Sequence, residues 1–508
     1  MKTHKTEQKE ISLPAYGAGR IVAAEYHKSE VPSYRRNPFI EALPPIFSDK
    51  EIYKSLANYP EFVVESRDQP THIRLHHLFT LLELIKPDHR HIQLFRSIDI
   101  AIRRSYLGRN IVDGSLHKLH SRVERKANRK KSGTGFMVIG ISGIGKTTAV
   151  GAALSIFPQV VFHSQYMGLE FNFIQLVWLK IDCPYDGRLA ALCEGFFAAV
   201  DDVIGTNYSQ IYRRSNIGEK LLGIKTVVEQ HRIGILVIDE IQNLVDARGV
   251  ERSTLLNYLV SLVNLVGIPV ILIGTYKALT LFKGEFRMAR RSSGEGAQEW
   301  HRIDKGDDWS AFLQAVWKYQ YIRKPSPLSD ELSNALYEVS QGITDVAIKT
   351  FMLAQSRSMQ TGMESLTVNL IRSVAKDHLG YLKTALDALK SKDLDKLKTI
   401  EDLRPLDVKE LIEAVAMDIE IKETITKLPN APNENLTVVG EANTGEEPSS
   451  DDFPKKPRKT KKSASRRTES QLDPSDLRGI FREATRTKKD FVVALRASGV
   501  IVPIDRWV

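Results

Sequence analysis

At 508 residues the chain is long for a single hydrophobic core, and its 42% hydrophobic content suffices for two or three globular parts, which excludes a wholly disordered protein. A formal net charge of +10 favours an acidic partner such as nucleic acid, although many enzymes are mildly basic without one. No apolar run of about eighteen residues occurs, and the start MKTHKTEQKEIS has no apolar signal core, so a soluble cytoplasmic protein without a membrane partner is expected.

Residues 1–30 are polar and read as an arm. The block YRRNPFIEALPP at 34–45 follows, where Pro38, Pro44 and Pro45 forbid a long helix while Phe39, Ile40 and Leu43 supply apolar contacts. A docking segment and a loop packed on its own domain both satisfy that pattern. From 50 to 130 the periodicity is mostly helical, as in RLHHLFTLLELIKP. The stretch ends in a basic run with seven Lys or Arg against one Glu between Ser115 and Lys131, placed to meet phosphates or to form a solvated face.

Between 136 and about 323, short β-branched runs alternate with helical stretches, the pattern of a parallel sheet with crossover helices. FMVIG, LVWLKID, ILVID and VILIGT read as strands, with a weaker fifth near KYQYI. In DDWSAFLQAVW, Trp309, Phe312, Leu313, Val316 and Trp317 form a helical stripe that belongs in a core. Two cysteines, Cys183 and Cys193, lack metal-ligand spacing and read as reduced thiols.

The segment GISGIGKTTAV meets the phosphate-loop pattern through Gly140, Gly145, Lys146 and Thr147. A strand leads in and a small-residue helix leads out. The segment Gly140, Ile141, Ser142, Gly143, Ile144, Gly145, Lys146, Thr147 and Thr148 would then wrap the phosphates of ATP or GTP, with Lys146 on the β- and γ-oxygens and Thr147 on Mg²⁺. In ILVIDEIQNL, a buried strand ends in Asp239, a magnesium-shell candidate, followed by Glu240, placed to polarise water. Thr275 closes VILIGT where a γ-phosphate sensor would sit. Arg287, Arg290 and Arg291 cluster behind it, as an arginine finger offered to a neighbouring subunit or as a surface basic patch.

This order of loop, acid pair, polar sensor, arginines and helical segment resembles the AAA+ ATPases over about residues 133–380. One departure concerns the lid. Where many members carry an arginine three residues after a glycine, QGITDVAIK has Asp345, with Lys349 a turn later.

YRRNPFIEALPP, SYLGRN at 105–110, GISGIGKTT, FPQVVFH, LVIDEIQNL, VGIPVILIGTYKA, FRMARRSSG and VSQGITDVAIK together resemble the TnsC family, the AAA+ regulators of bacterial cut-and-paste transposons of the TnsA/TnsB type, CRISPR-associated ones included. The resemblance runs from about 34 to 360 and returns weakly at LRASGVIV. It implies an AAA+ P-loop ATPase core with a helical lid, within the α/β fold that the alternation of strands and helices already gives, while the mostly helical pattern at 50–130 gives a helical N-terminal extension and the few apolar residues and blocked charge after 428 read as a disordered basic C-terminal tail. The expected divisions are an arm at 1–30, a selector-docking extension at 31–132, the ATPase domain at 133–325, the lid and its extension at 326–428, a charged linker at 429–473 and a transposase-docking element at 474–508.

The resemblance further implies ATP and Mg²⁺ as cofactors, homo-oligomeric rings or filaments on double-stranded DNA, a TnsD- or TniQ-type selector at the N-terminal region, and TnsA and TnsB at the C-terminal tip. DNA contacts in such an assembly would go to phosphates, with Arg188, Arg129, Lys130 and Lys131 as candidates. Arg188 equally suits a helix cap or a surface ion pair. Two rival classes are a STAND-type signalling switch and a replication-type loader. The first calls for helical sensor repeats after the lid and the second for an aromatic pore motif, and the sequence presents neither clearly.

Overall fold

The structure, a computed structural model, describes residues 21–111, 135–246, 267–280 and 297–380, together with Leu386, Leu389, Lys390, Val408 and Ile412. The basic run at 115–131, the linker at 429–473 and the tip at 474–508 lie outside the described residues.

In the N-terminal part, strand β1 (Ile21–Ala23) precedes helix α1 (Pro38–Glu41). Asn37 caps α1 by accepting the Phe39 N–H, and Pro38 takes the first helical position, where a missing N–H costs nothing. Phe39, Ile40 and Leu43 are at most 2% exposed, so the apolar side chains of this block serve the chain's own core and are not offered to a partner. Helix α2 (Asp49–Leu56) opens on a Ser48–Glu51 capping box. RLHHLFTLLELIKP is not one helix: α3 (Thr71–His77) passes into a 3₁₀ turn (Leu78–Glu83), and Ile85 then pairs with Asn58 through both backbone groups. Helix α4 (His89–Leu107) starts from an Asp88 cap.

The central part runs β2 (Phe136–Gly140), α5 (Lys146–Ser155), β3 (Val160–Tyr166), β4 (Leu169–Leu176), β5 (Trp178–Asp182), α6 (Leu189–Ile204), α7 (Tyr208–Ile211), α8 (Ile217–Gln230), β6 (Ile235–Asp239), β7 (Val270–Gly274) and β8 (Ala297–Trp300). Five strands pair in parallel in the order β5-β6-β7-β2-β8. Every residue of β2, β6 and β7 is buried, which is why they read as unbroken apolar runs. A second sheet, β1-β3-β4, joins the N-terminal strand in parallel to an antiparallel hairpin.

Four more helices follow: α9 (Asp307–Val316), α10 (Asp330–Ser340), α11 (Thr344–Gln360) and α12 (Val368–His378). The Trp309–Trp317 stripe is core, as its spacing requires. The fifth sheet strand is β8 and not KYQYI, which makes no ladder. Instead Gln355 donates to the Tyr319 carbonyl (3.1 Å) and accepts the Tyr321 N–H (2.8 Å), so a buried amide replaces a strand partner while Tyr319, Tyr321 and Ile322 enter the helical core.

The N-terminal helices straddle the two halves. Phe39, Leu94, Phe95 and Ile98 pack in one cluster with Val138, Ile235 and Val237 of the sheet. Leu75, Leu78, Leu81 and Leu84 pack instead with Trp317, Tyr321 and Phe351 of the helical part. Buried Arg74 fastens that second contact, donating to Glu364 (2.7 and 2.8 Å) and to the Tyr321 carbonyl (3.0 Å). Among the described residues no helix is long and apolar enough to cross a membrane.

Candidate nucleotide site

The chain leaves β2 through a loop whose turns demand left-handed backbone at Gly143 (φ +77°) and Gly145 (φ +91°), conformations that a side chain strains. Ile144 is buried and anchors the loop in the core, whereas Thr147 and Thr148 are exposed towards a cavity. Helix α5 begins at Lys146 with no side-chain cap, so its first N–H groups and its positive dipole end are available to an anion. The Lys146 ammonium donates to the Gly140 (2.9 Å) and Ile141 (2.8 Å) carbonyls.

Two adjacent strand ends supply the acids and the polar sensor position. Asp239, last in β6, is 2% exposed, accepts the Glu240 N–H (2.9 Å) on Oδ1 and meets Lys180 Nζ (3.0 Å) at Oδ2. Glu240 holds φ at +54°, uncommon for a side-chain-bearing residue, which turns its carboxylate out of the strand line and into the cavity wall. Gln242 ties the two strand ends together, donating to Glu240 and accepting the Thr275 N–H (3.1 Å). The Thr275 hydroxyl is buried without a hydrogen-bond partner although its residue lines the cavity, an arrangement that calls for a polar ligand.

The cavity lies between all three parts of the fold. Ser142 to Thr148, Asp239, Glu240 and Thr275 come from the sheet. Leu84, Ile85 and Arg90 come from the N-terminal part, and Thr344, Asp345, Ile348 and Lys349 from α11. The α5 N-terminus, the orphaned Thr275 hydroxyl and the apolar Leu84 and Ile85 fit the mixed polar and apolar character of a nucleoside triphosphate. A hydroxyl at Thr147 and a carboxylate at Asp239 fit a phosphate-bound magnesium ion, which keeps most of its shell for water and phosphate. When bound, that ion would supply charge for the departing phosphate oxygens.

The expected loop residues, Asp239, Glu240 and Thr275 thus come together. Arg287, Arg290, Arg291, Arg129, Lys130 and Lys131 lie outside the described residues. Arg188 stands apart from the cavity at the start of α6, where its exposed side chain pairs with Asp186. The Asp186 carboxyl is held below its usual range by the Arg188 backbone N–H and then by the guanidinium. Lys180, Gln242 and the N-terminal wall are the parts that motif reasoning missed. The polar residues in WLKID and EIQNL were the available signal.

Residues 129–282 match the family model described as AAA domain. No curated protein matches the chain. Among solved structures, the Aeropyrum pernix ORC2 protein in ADPNP–ADP complexes is similar at 15% identity and TM-score 0.33, covering 60% of this chain and 95% of that one. A Walker-type ATPase of Pyrococcus abyssi is similar at 14% identity and TM-score 0.35, with 55% and 78% covered. Drosophila ORC bound to DNA is similar at 12% identity and TM-score 0.30, with 65% and 82% covered. With the phosphate loop, the parallel sheet and the matched domain in place, the fold is that of an AAA+ P-loop ATPase, and the chain is an ATPase carrying its AAA domain at residues 129–282.

Proposed function

We propose that this ATPase is a TnsC-type regulator of DNA transposition, which assembles on duplex DNA when it holds ATP, links a target selector to a TnsA/TnsB-type transposase, and is dissolved by hydrolysis. The observation that carries the reading is the proline-rich block, which a generic AAA+ core does not need, bonded to a second segment of the resemblance. Asn37 of YRRNPFIEALPP donates to the Tyr106 carbonyl (2.9 Å) of SYLGRN, and Asn110 of the second block donates to the Arg36 carbonyl (3.0 Å) of the first. Arg103 adds a bond to the Pro44 carbonyl (2.6 Å). The proline-rich block and SYLGRN thus act as one structural unit.

In this reading Lys146 and the α5 N-terminus bind the phosphates, and Thr147 and Asp239 hold magnesium. Glu240 takes the proton of the attacking water, and Thr275 contacts the terminal phosphate. Arg287, Arg290 or Arg291 would reach the site of a neighbouring subunit. With Phe39, Ile40 and Leu43 buried, a selector would use the exposed edge of the N-terminal block, Arg35, Arg36 and Ile46, and the transposase would take the C-terminal tip. DNA would be held through phosphates, so affinity should be indifferent to sequence and fall steeply with salt.

The test is binding to an arbitrary duplex with ATP, a non-hydrolysable analogue or ADP. Lys146→Ala should abolish nucleotide-dependent assembly and Glu240→Gln should trap it on DNA. Normal release by the Glu240→Gln protein would count against the assignment.

A further inference from the structure

Arg232 precedes β6, at the opposite end of that strand from Asp239, and Arg109 follows the end of α4. The two meet in one aromatic cluster. Arg232 Cζ lies 5.7 Å from the Phe39 ring and 5.7 Å from the Phe173 ring, Arg109 Cζ lies 4.9 Å from the Tyr106 ring, and the Phe39 and Tyr106 rings are 5.8 Å apart. Both arginines are half-buried. Arg109 donates from Nε and Nη2 to the Ser105 carbonyl (2.9 Å) and hydroxyl (2.8 Å), which leaves its Nη1 buried without a partner, and Arg232 Nε is buried without one too. Among the described residues neither guanidinium has an ion pair: Glu229, whose charge acts on both, is exposed and joined to neither. Burial pushes Arg109 down to about 10 and holds Arg232 below its usual range, and the charge of Arg232 lowers Arg109 further. Arg232 also holds φ at +48°, a strained backbone of the kind kept where it serves a site.

Two desolvated like charges with unsatisfied N–H groups call for an oxyanion, which the planar guanidinium fork accepts in two parallel hydrogen bonds. A stiff duplex presents its phosphates on a convex surface and suits exposed, flexible cations; a carboxylate on a flexible peptide can enter a recess among rings. The chain itself carries such a peptide. Between Glu434 and Asp452 lie Glu441, Glu446, Glu447 and Asp451 and no Lys or Arg, in a stretch outside the described residues. From Ile412, buried in the helical core, about twenty residues lead to Glu434 and span up to about 70 Å when extended, more than the roughly 50 Å across a folded unit of this size. We infer that Arg109 and Arg232 form a carboxylate-binding recess whose occupant is the chain's own acidic tract, residues 434–452. Asn110, next to Arg109, donates to the Arg36 carbonyl, so a docked tract lies beside the exposed Arg35–Arg36 edge and competes with a selector for it. That consequence rests on the proposed function; the docking itself does not.

The test measures equilibrium binding of a labelled synthetic peptide of residues 434–452 to the full chain in which the six acids of its own tract are changed to their amides, so that the recess is open. The peptide should bind, and Arg232→Met or Arg109→Met should each weaken it about tenfold or more, the effect of losing a charged hydrogen bond. Arg232→Lys should retain part of the affinity, because it keeps the charge and loses only the fork, which separates loss of charge from loss of fold. A peptide with all six acids as amides should not bind the open chain, a result that depends on no arginine variant. The unaltered chain should bind the labelled peptide at least about tenfold more weakly than the open chain, because its tethered tract competes at an effective concentration on the order of millimolar. Equal binding of acidic and amide peptides, or of the acidic peptide by the open chain and its Arg232→Met variant, overturns the recess. Equal binding by the open and the unaltered chain overturns the tract as its occupant. An arbitrary duplex that loses about tenfold in affinity with Arg232→Met, while the peptide loses none, overturns the inference in favour of DNA phosphate.

Discussion

Gln242 is where the candidate site depends most on a residue without direct chemistry. It accepts the Thr275 N–H and donates to Glu240, so it fixes the spacing between the proposed water-activating acid and the proposed sensor residue. Gln242→Leu should lower kcat about tenfold while leaving nucleotide affinity within about twofold, because only the oriented state loses its bonds. Steady-state ATPase kinetics with separate nucleotide titration checks this, and unchanged kcat would contradict the positioning role. Glu240→Gln, by removing the proposed proton acceptor itself, should cost about a hundredfold or more in kcat. The loop, Asp239, Glu240 and Thr275 were legible in the sequence because each has a fixed offset from a buried strand. Lys180 and Gln242 were not, since Lys180 meets Asp239 and Gln242 meets Thr275 on a neighbouring strand, where spacing along the chain says nothing.

At the scale of elements, YRRNPFIEALPP is better understood as a wedge. Phe39 is fully buried among Tyr106, His163, Phe171 and Phe173, so Phe39→Ala should destabilise the chain by about 3–5 kcal/mol in denaturant unfolding. A change below about 1 kcal/mol would mean that the residue is free for a partner after all. His163 in the same cluster bonds Tyr26 and Gln175 (both 2.8 Å) and is held down at about 4 by burial. The unfolded imidazole takes its proton nearer 6.5, so the unfolded state binds more protons between those values. Stability is therefore complete above about 6.5 and falls by about 3 kcal/mol as pH drops to about 4. Unfolding curves that do not shift between pH 7 and 5 would contradict this.

Among the elements, the buried strands and the Trp309–Trp317 helix were readable from periodicity alone. The second sheet escaped because β1 and the β3–β4 hairpin pair across 139 residues, counting from Ile21 to Val160. KYQYI misled because its aromatic alternation, a strand signal, is satisfied here by one glutamine amide and a helical core. Arg74 is similarly invisible in sequence. Arg74→Met removes the guanidinium from largely buried Glu364, whose carboxylate keeps the Arg323 N–H (3.0 Å), and should cost about 3 kcal/mol. A loss much smaller than that in denaturant unfolding would show the contact between N-terminal extension and lid to be weak.

For the whole molecule, the N-terminal extension touches sheet, lid and nucleotide cavity at once, through Phe95, Leu78 and Ile85 respectively. In the proposed function, a selector held by that extension would thereby be placed to sense the nucleotide. The central claim is that ATP controls assembly on DNA. Imaging the chain on an arbitrary duplex with ATP, a non-hydrolysable analogue and ADP tests it most directly. The account predicts rings or filaments with ATP and with the analogue, none with ADP, and none for Lys146→Ala with any nucleotide. DNA binding that ignores the nucleotide, or no assembly under any condition, would contradict it.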